Sequence, residues 1–282
     1  MDSNLAKALL FAALLLCTSL AGCLGDEAVA PDVVTAEDGS QSCWAIVQVI
    51  TTMDHESEEM RNNHYTMTNM TYDAACNMVS SLTWSGDGWG SYTNSTHNDQ
   101  GQPLLTETVS GTWNNTTGVL EGQYFTQFMA YEYNDGLLMQ LHSYYPEGGD
   151  EYWNYTYDAQ GRETMVETAY ETTESFYDNN GLLSRTVRTG YGGWETHTNR
   201  TYDVDGNLVQ ESVMQYGDGE WWSMGTTNHT YENGLLMSSE TDDGSIWMFT
   251  YNGDGDLITS TYDWGMNMST TVTNHWGYVN PV

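Results

Sequence analysis

Hydrophobic and polar residues alternate singly along much of the chain, and short clusters of turn residues interrupt the alternation. Trp153, Tyr155 and Tyr157 occupy every second position before one such break, the period of a strand with one shielded face. Leu208, Leu183, Leu236, Leu257 and Met78 arrive at corresponding places after other breaks. The breaks take two forms. In Asp203-Val204-Asp205-Gly206 the first aspartate can bond the backbone, and glycine supplies a positive φ at the fourth position, a type I turn with a glycine exit. Asp135-Gly136 and Asn233-Gly234 are the dipeptides that two-residue hairpins demand. No helical period of useful length follows; only residues 53 to 61, around HESEE, predict a short helix.

The breaks belong to a repeat. Aligned on an aromatic position they read TYDAACNM, THNDQGQP, EYNDGLL, TYDAQGRE, FYDNNGLL, TYDVDGNL, TYENGLL and TYNGDGDL, with Tyr72, His97, Tyr133, Tyr157, Tyr177, Tyr202, Tyr231 and Tyr251 at the common site. Glycine and aspartate clusters at 85–88, 147–150, 190–193 and 217–220 return the chain between copies. Packing of the tyrosine against the leucine across one hairpin is worth about 0.2 to 1 kcal/mol, too little for a hairpin to stand alone, so neighbouring copies must share a sheet. The expectation is an all-β chain: an antiparallel meander of repeated hairpins forming one long curled sheet. Open, barrel-like and solenoid-like closure all fit this pattern.

The phrase resembles the YD-repeat, or Rhs-repeat, family, whose motif runs approximately Y-x-Y-D-x-x-G-R/N-L. Tyr155-Thr156-Tyr157-Asp158-Ala159-Gln160-Gly161-Arg162 and Tyr202-Asp203-Val204-Asp205-Gly206-Asn207-Leu208 carry the resemblance. It implies hairpin repeats that build a curling sheet from about residue 70 to 260. Cys76 stands in place of the turn glycine, His97 of the tyrosine and Glu163 of the leucine. The shell and self-processing of large family members are not implied, because the repeats here are few and no toxin segment is appended.

The N-terminus changes the setting. An apolar run at 8–16, too short to span a bilayer, precedes small residues, which marks residues 1–22 as a signal peptide. Its cleavage region, SLAGC at 19–23, resembles the lipobox of prokaryotic lipoproteins and implies lipidation of Cys23. Residues 23–42 lack sustained periodicity and read as a flexible acidic tether, leaving 43–282 as the repeat domain. Cys43 and Cys76 then remain as a pair in an oxidising setting, and a disulfide is expected rather than two buried thiols.

Charge excludes some partners. The chain holds six Lys and Arg against 39 Asp and Glu, a net charge of −33, and its one lysine, Lys7, lies in the signal peptide. Nucleic acid and anionic lipid require cationic patches and are not expected partners. Acidity serves solubility, and specific calcium sites are secondary to that role. Asp203, Asp205, Asn207, Asp254 and Asp256 are the oxygen-bearing turn residues that calcium would use, although the bidentate glutamate of an EF-hand is missing. No cofactor is implied.

Candidate chemistry is otherwise sparse. The seven histidines are scattered, HESEE is not HExxH, and no spacing selects a catalytic set, so no catalytic residue is assigned. Asn69, Asn94, Asn154, Asn199 and Asn228 head Asn-x-Ser/Thr triplets three residues before the repeat aromatic or its histidine, which places them on the opposite sheet face from it. They fit either N-glycosylation or a polar Asn/Thr ladder. Trp194, Trp221, Trp222 and Trp247 are packing residues or a stripe that stacks on sugar rings. The expected function is that of a non-catalytic binding or scaffolding module, anchored at the outer face of the membrane and recognising an envelope polysaccharide or protein. A structural coat component and an extracellular polymer hydrolase are the alternatives.

Overall fold

The computed structural model describes residues 33–35, 41–54, 65–264 and 269–279. Its strands are β1 (Val33–Thr35), β2 (Gln41–Asp54), β3 (Thr66–Tyr72), β4 (Met78–Ser85), β5 (Trp89–His97), β6 (Pro103–Asn114), β7 (Val119–Asn134), β8 (Leu137–Tyr144), β9 (Asp150–Tyr157) and β10 (Glu163–Glu167). There follow β11 (Glu171–Tyr177), β12 (Leu183–Gly190), β13 (Glu195–Tyr202), β14 (Leu208–Gly217), β15 (Glu220–Glu232), β16 (Leu235–Thr241), β17 (Ile246–Tyr251), β18 (Leu257–Asp263) and β19 (Ser269–Val279). The expected short helix at 53–61 falls mostly outside the described residues, and its first two residues end β2.

From β2 onward each strand pairs antiparallel with the next, and β19 returns to pair β2 from Ser269 opposite Asp54 to Val279 opposite Cys43. The sheet therefore closes into a barrel of the eighteen strands β2 to β19, which removes every free edge inside the ring. β1 adds a short outer pairing to β2, so part of the segment that reads as a tether is held on the sheet. The repeat turns all fall on one rim, where β2 begins and β19 ends; the variable connections form the far rim.

Six of the repeat turns share one construction. At Asp203 the main-chain N–H donates to the Asn207 carbonyl and the Gly206 N–H to the Asp203 carbonyl, while Asp203 Oδ1 accepts from the N–H groups of Asp205 and Asn207 at 2.9 and 2.8 Å. Asp73, Asn98, Asp158, Asp178 and Asn252 repeat it. Gly206 has φ 86°, and Cys76, in the glycine's place, is held at φ 67°, a conformation that costs a non-glycine residue. The other two turns put Asp135-Gly136 and Asn233-Gly234 at positive φ, as a two-residue hairpin requires.

The repeat tyrosine does more than face a leucine. Across its own hairpin Tyr202 lies opposite Leu208, Tyr177 opposite Leu183 and Tyr251 opposite Leu257, each beside a bulge. In five of the copies its hydroxyl, however, points the other way and donates to a main-chain carbonyl of the preceding strand. The bonds are Tyr72 to Ile46, Tyr157 to Leu138, Tyr177 to Glu163, Tyr202 to Leu183 and Tyr251 to Leu236, at 2.7 to 2.8 Å. Each tyrosine thus fastens one hairpin to the hairpin before it. His97 cannot copy this bond, and its Nδ1 is buried with no hydrogen-bond partner among the described residues.

The two faces of the sheet differ in exposure. Asn69, Asn94, Asn154, Asn199 and Asn228 are all exposed, whereas the alternating positions on the tyrosine side are mostly half-buried or buried, including Ser110, Ser143, Ser91 and Ser239. On a closed ring the concave side is the shielded one, so the tyrosine face lines the interior and the amide face is the outer surface. The interior is not an apolar core: of the buried hydrophobics among the described residues, Ala45, Val187 and Phe249, Val187 lies on the outer face opposite His197. Hydroxyl pairs such as Thr68–Thr83 and Thr93–Thr108 take their place. Eighteen strands make a ring too wide for side chains to fill, so hydroxyl-bearing residues suit its inner wall.

Glu163, where the motif carries leucine, is half-buried, and burial raises its carboxyl pKa. Burial and then the Glu163 charge push the neighbouring Tyr155 hydroxyl up to about 12. An acid whose pKa is raised by folding contributes its full stability below the unfolded-state pKa, and that contribution is lost as pH rises through the folded-state value. Ionised Glu163 therefore costs stability near neutrality. Glu163→Gln is expected to raise the melting temperature at neutral pH, with the gain shrinking as pH falls through the carboxylate range; a gain that does not depend on pH would contradict this account.

Candidate binding surface

The four tryptophans, read from the sequence as packing residues or a stacking stripe, do not come together in one stripe. Trp221 and Trp222 are neighbours on β15 and point to opposite faces. Trp221 lies on the outer face opposite Tyr216, with the His197 ring 4.5 Å and the Tyr216 ring 5.2 Å away. Trp222 turns inward, packs on Gly217 and directs Nε1–H at Met224 Sδ, 3.1 Å away. Trp247 is also inward, against Phe249 and Tyr262. Trp194 sits on Gly190, where a Cβ would lie 1.9 Å from the indole, with the Arg188 guanidinium 5.2 Å from its ring.

A different aromatic surface spans β7 to β9 on the outer face. The register runs Asn94, Glu107, Phe128, Tyr144, Asp150 across β5 to β9. The next row toward the turn rim is Leu105, Ala130, His142, Tyr152, and the one after it is Glu132, Gln140, Asn154, Glu167. Phe128 stacks on Tyr144 with centroids 5.0 Å apart, His142 on Tyr144 at 4.8 Å, and His142 on Tyr152 at 4.1 Å and 6°. The outer ring, Tyr152, is 40% exposed. Small Ala130 leaves the centre of the platform low. His142 Nε2 is buried without a hydrogen bond, 3.9 Å from Asp150 Oδ1. With strands about 4.8 Å apart, Glu107 and Asp150 flank the platform across about 14 Å.

Amides continue the surface. Gln140 Nε2 donates to Asn154 Oδ1 at 2.8 Å, and Gln48 to Asn69 and Gln210 to Asn228 repeat the bond at 2.8 and 3.0 Å. A second aromatic patch adjoins on β4 to β7, where Trp84 stacks on Trp113 at 5.3 Å above an open groove of about 370 Å³ lined by Leu82, Tyr92, Val109 and Leu120. Glycine makes this possible: a Cβ on Gly90 would lie 2.9 Å from Leu120 and 3.2 Å from Trp113.

The acidic turns are committed to their own geometry. Besides its two main-chain bonds, Asp203 accepts from Asn207 Nδ2 at Oδ2, and these bonds, that of the Asn207 side chain foremost, lower its carboxyl pKa. Asn252 Nδ2 donates to Asp256 in the same way. Asp205 and Asp254 stand exposed in these turns. Among the described residues no group of three or more His, Cys, Asp or Glu is placed to hold a metal ion. His97, His142, His197, His229 and His275 lie on β5, β8, β13, β15 and β19 and form no common site. Cys23 and the Cys43 side chain lie outside the described residues.

No protein-family model matches the chain, and no curated protein matches it. Among solved structures, the barrel is similar to a porin-like protein from Bacteroides uniformis, with 11% identity over 82% of this chain and 98% of the other and a TM-score of 0.46. Weaker likenesses are to a TcdB2-TccC3 structure (14% identity, 81% of this chain, TM-score 0.27) and to the Photorhabdus luminescens Tc holotoxin pore (12% identity, 79% of this chain, TM-score 0.25). The chain spans 16% of the length of each of those two.

Proposed function

We propose that the chain is a cell-surface lipoprotein whose barrel is a non-catalytic binding module for an envelope polysaccharide. The observation that carries this reading is the outer platform of Phe128, Tyr144, His142 and Tyr152, bordered by Gln140, Asn154, Glu107 and Asp150. Flat rings offer stacking area to the apolar faces of sugars, and the amides and carboxylates beside them offer partners to hydroxyls. Glu107 and Asp150, about 14 Å apart, are too far from each other for the carboxylate pair of a glycosidase, which needs at most about 9.5 Å. The outer face also carries Glu132, Glu174, Glu195 and Glu240 among its exposed or half-exposed residues, so it lacks the apolar band of a lipid-facing barrel.

In this reading Cys23 carries the lipid, Cys43 and Cys76 are bonded, and the polar ladder of Asn69, Asn94, Asn154, Asn199 and Asn228 extends the surface or bears glycans. The repeat motif makes it a small YD-repeat-like protein in which the sheet closes on itself. Affinity electrophoresis through gels containing soluble polysaccharides tests the proposal: the native barrel is expected to be retarded by at least one of them and Tyr152→Ala not, with Trp222→Ala retarded like the native chain. Retardation of the native chain and Tyr152→Ala alike would remove the platform from the binding surface.

A further inference from the structure

We infer that the platform selects glycans bearing protonated amines, as in polymers of glucosamine, over neutral or acidic ones. The inference rests on the glycan-binding reading above and adds the ligand's charge. Charge complementarity carries it. Four carboxylates border the aromatic rows on the outer face: Glu107 and Asp150 on either side of Phe128 and Tyr144 in the first, Glu132 and Glu167 at the ends of the third. Between residues 89 and 157, which cover every strand from β5 to β9, the sequence has no lysine or arginine. The nearest cations of the sheet are committed elsewhere: Arg162 to Asp158 at 2.6 Å in its turn, and Arg185 over the Phe176 ring at 4.5 Å on β12.

No lysine or arginine therefore compensates the carboxylates near the rings. Asp150 is the best placed of them, because its side chain is 58% exposed beside the stacked rings of His142 and Tyr152, and His142 Nε2 is 3.9 Å away. An ammonium group on a sugar stacked against Tyr152 would meet this carboxylate and the electron-rich ring face together, two attractions that reinforce each other. A uronic acid or sulfate in the same place would meet only like charge. A neutral sugar keeps the stacking and loses the ionic contact.

The test compares glucosamine tetramer with N-acetylglucosamine tetramer by calorimetry on the full mature chain, at one mildly acidic pH and moderate salt. The tetramers share rings and linkages and differ in the amine. The native barrel is expected to bind the glucosamine tetramer about tenfold more tightly, a factor of the size charged contacts give. Asp150→Asn is expected to abolish that preference, bringing the glucosamine tetramer down to the affinity of the N-acetylated one; Tyr152→Ala is expected to weaken both. Because the chain keeps nearly all of its negative charge in Asp150→Asn, a preference that survives this substitution would assign the selectivity to the overall field and overturn the site. Equal affinities in the native barrel would overturn the selectivity and leave glycan binding standing, and no binding of either tetramer or of any neutral glycan would overturn both.

Discussion

Removing three hydroxyls, by Tyr157→Phe, Tyr202→Phe and Tyr251→Phe together, is expected to destabilise the barrel by about 3 kcal/mol. Each hydroxyl donates to a carbonyl of the preceding hairpin at 2.7 to 2.8 Å. A hydrogen bond of this kind is worth about 1 kcal/mol net. The three sites lie four strands apart, about 19 Å, so their effects should add. At about 2 to 4 °C for each kcal/mol in a domain of this size, the melting temperature should fall by about 6 to 12 °C. Phenylalanine keeps the ring and its packing, so the loss reports the bond alone. Tyr191→Phe, at a tyrosine 87% exposed in the far-rim turn, should leave the melting temperature unchanged; a triple variant that melts like Tyr191→Phe would show that the fastening is not energetic.

Replacing Tyr152 by alanine should cost about 1 to 3 kcal/mol of ligand binding, a range taken from the stacking of flat rings on aromatic side chains and equivalent to a drop of about 5- to 140-fold in affinity. Tyr152 is the member of the row to replace, because it has one covered face, against His142, and is 40% exposed. His142 is held between two rings, and its loss would let Tyr144 and Tyr152 move, mixing binding with local repacking. Tyr152→Ala removes a partly exposed ring whose outer-face neighbour on β10 would lie beyond the strand's last residue, Glu167, so folding should persist. An unfolded Tyr152→Ala would reassign the ring to packing.

The hairpins were legible because their determinants are local. Asp203, Gly206 and Asn207 sit within five residues and make the turn among themselves. Closure was not legible, because it joins Thr271 to Thr52 and nothing near either residue specifies the other. The tyrosine bond was missed for the same reason: the acceptor of Tyr202 is on Leu183, one hairpin back. Adjacent tryptophans look like one patch in sequence, but the two-residue period of a strand sends Trp221 and Trp222 to opposite faces, a consequence the sequence already contained.

The platform needs the register of three strands, which the bulge between Glu132 and Tyr133 shifts by one residue. One signal for it existed. His142 and Tyr144 before the Gly148-Gly149 turn, and Asp150 and Tyr152 after it, are alternate-position pairs that a hairpin must bring onto one face.

The outward placement of that platform depends on the ring being closed, so the direct test is at the seam between β19 and β2. Nuclear Overhauser contacts between the backbones of Thr271 and Thr52 and of Thr273 and Ile50 should be as strong as those between Thr198 and Val213 inside the β13–β14 hairpin. Absence of the seam contacts while the hairpin contacts persist would mean an open sheet, with neither face enclosed, and would contradict the account.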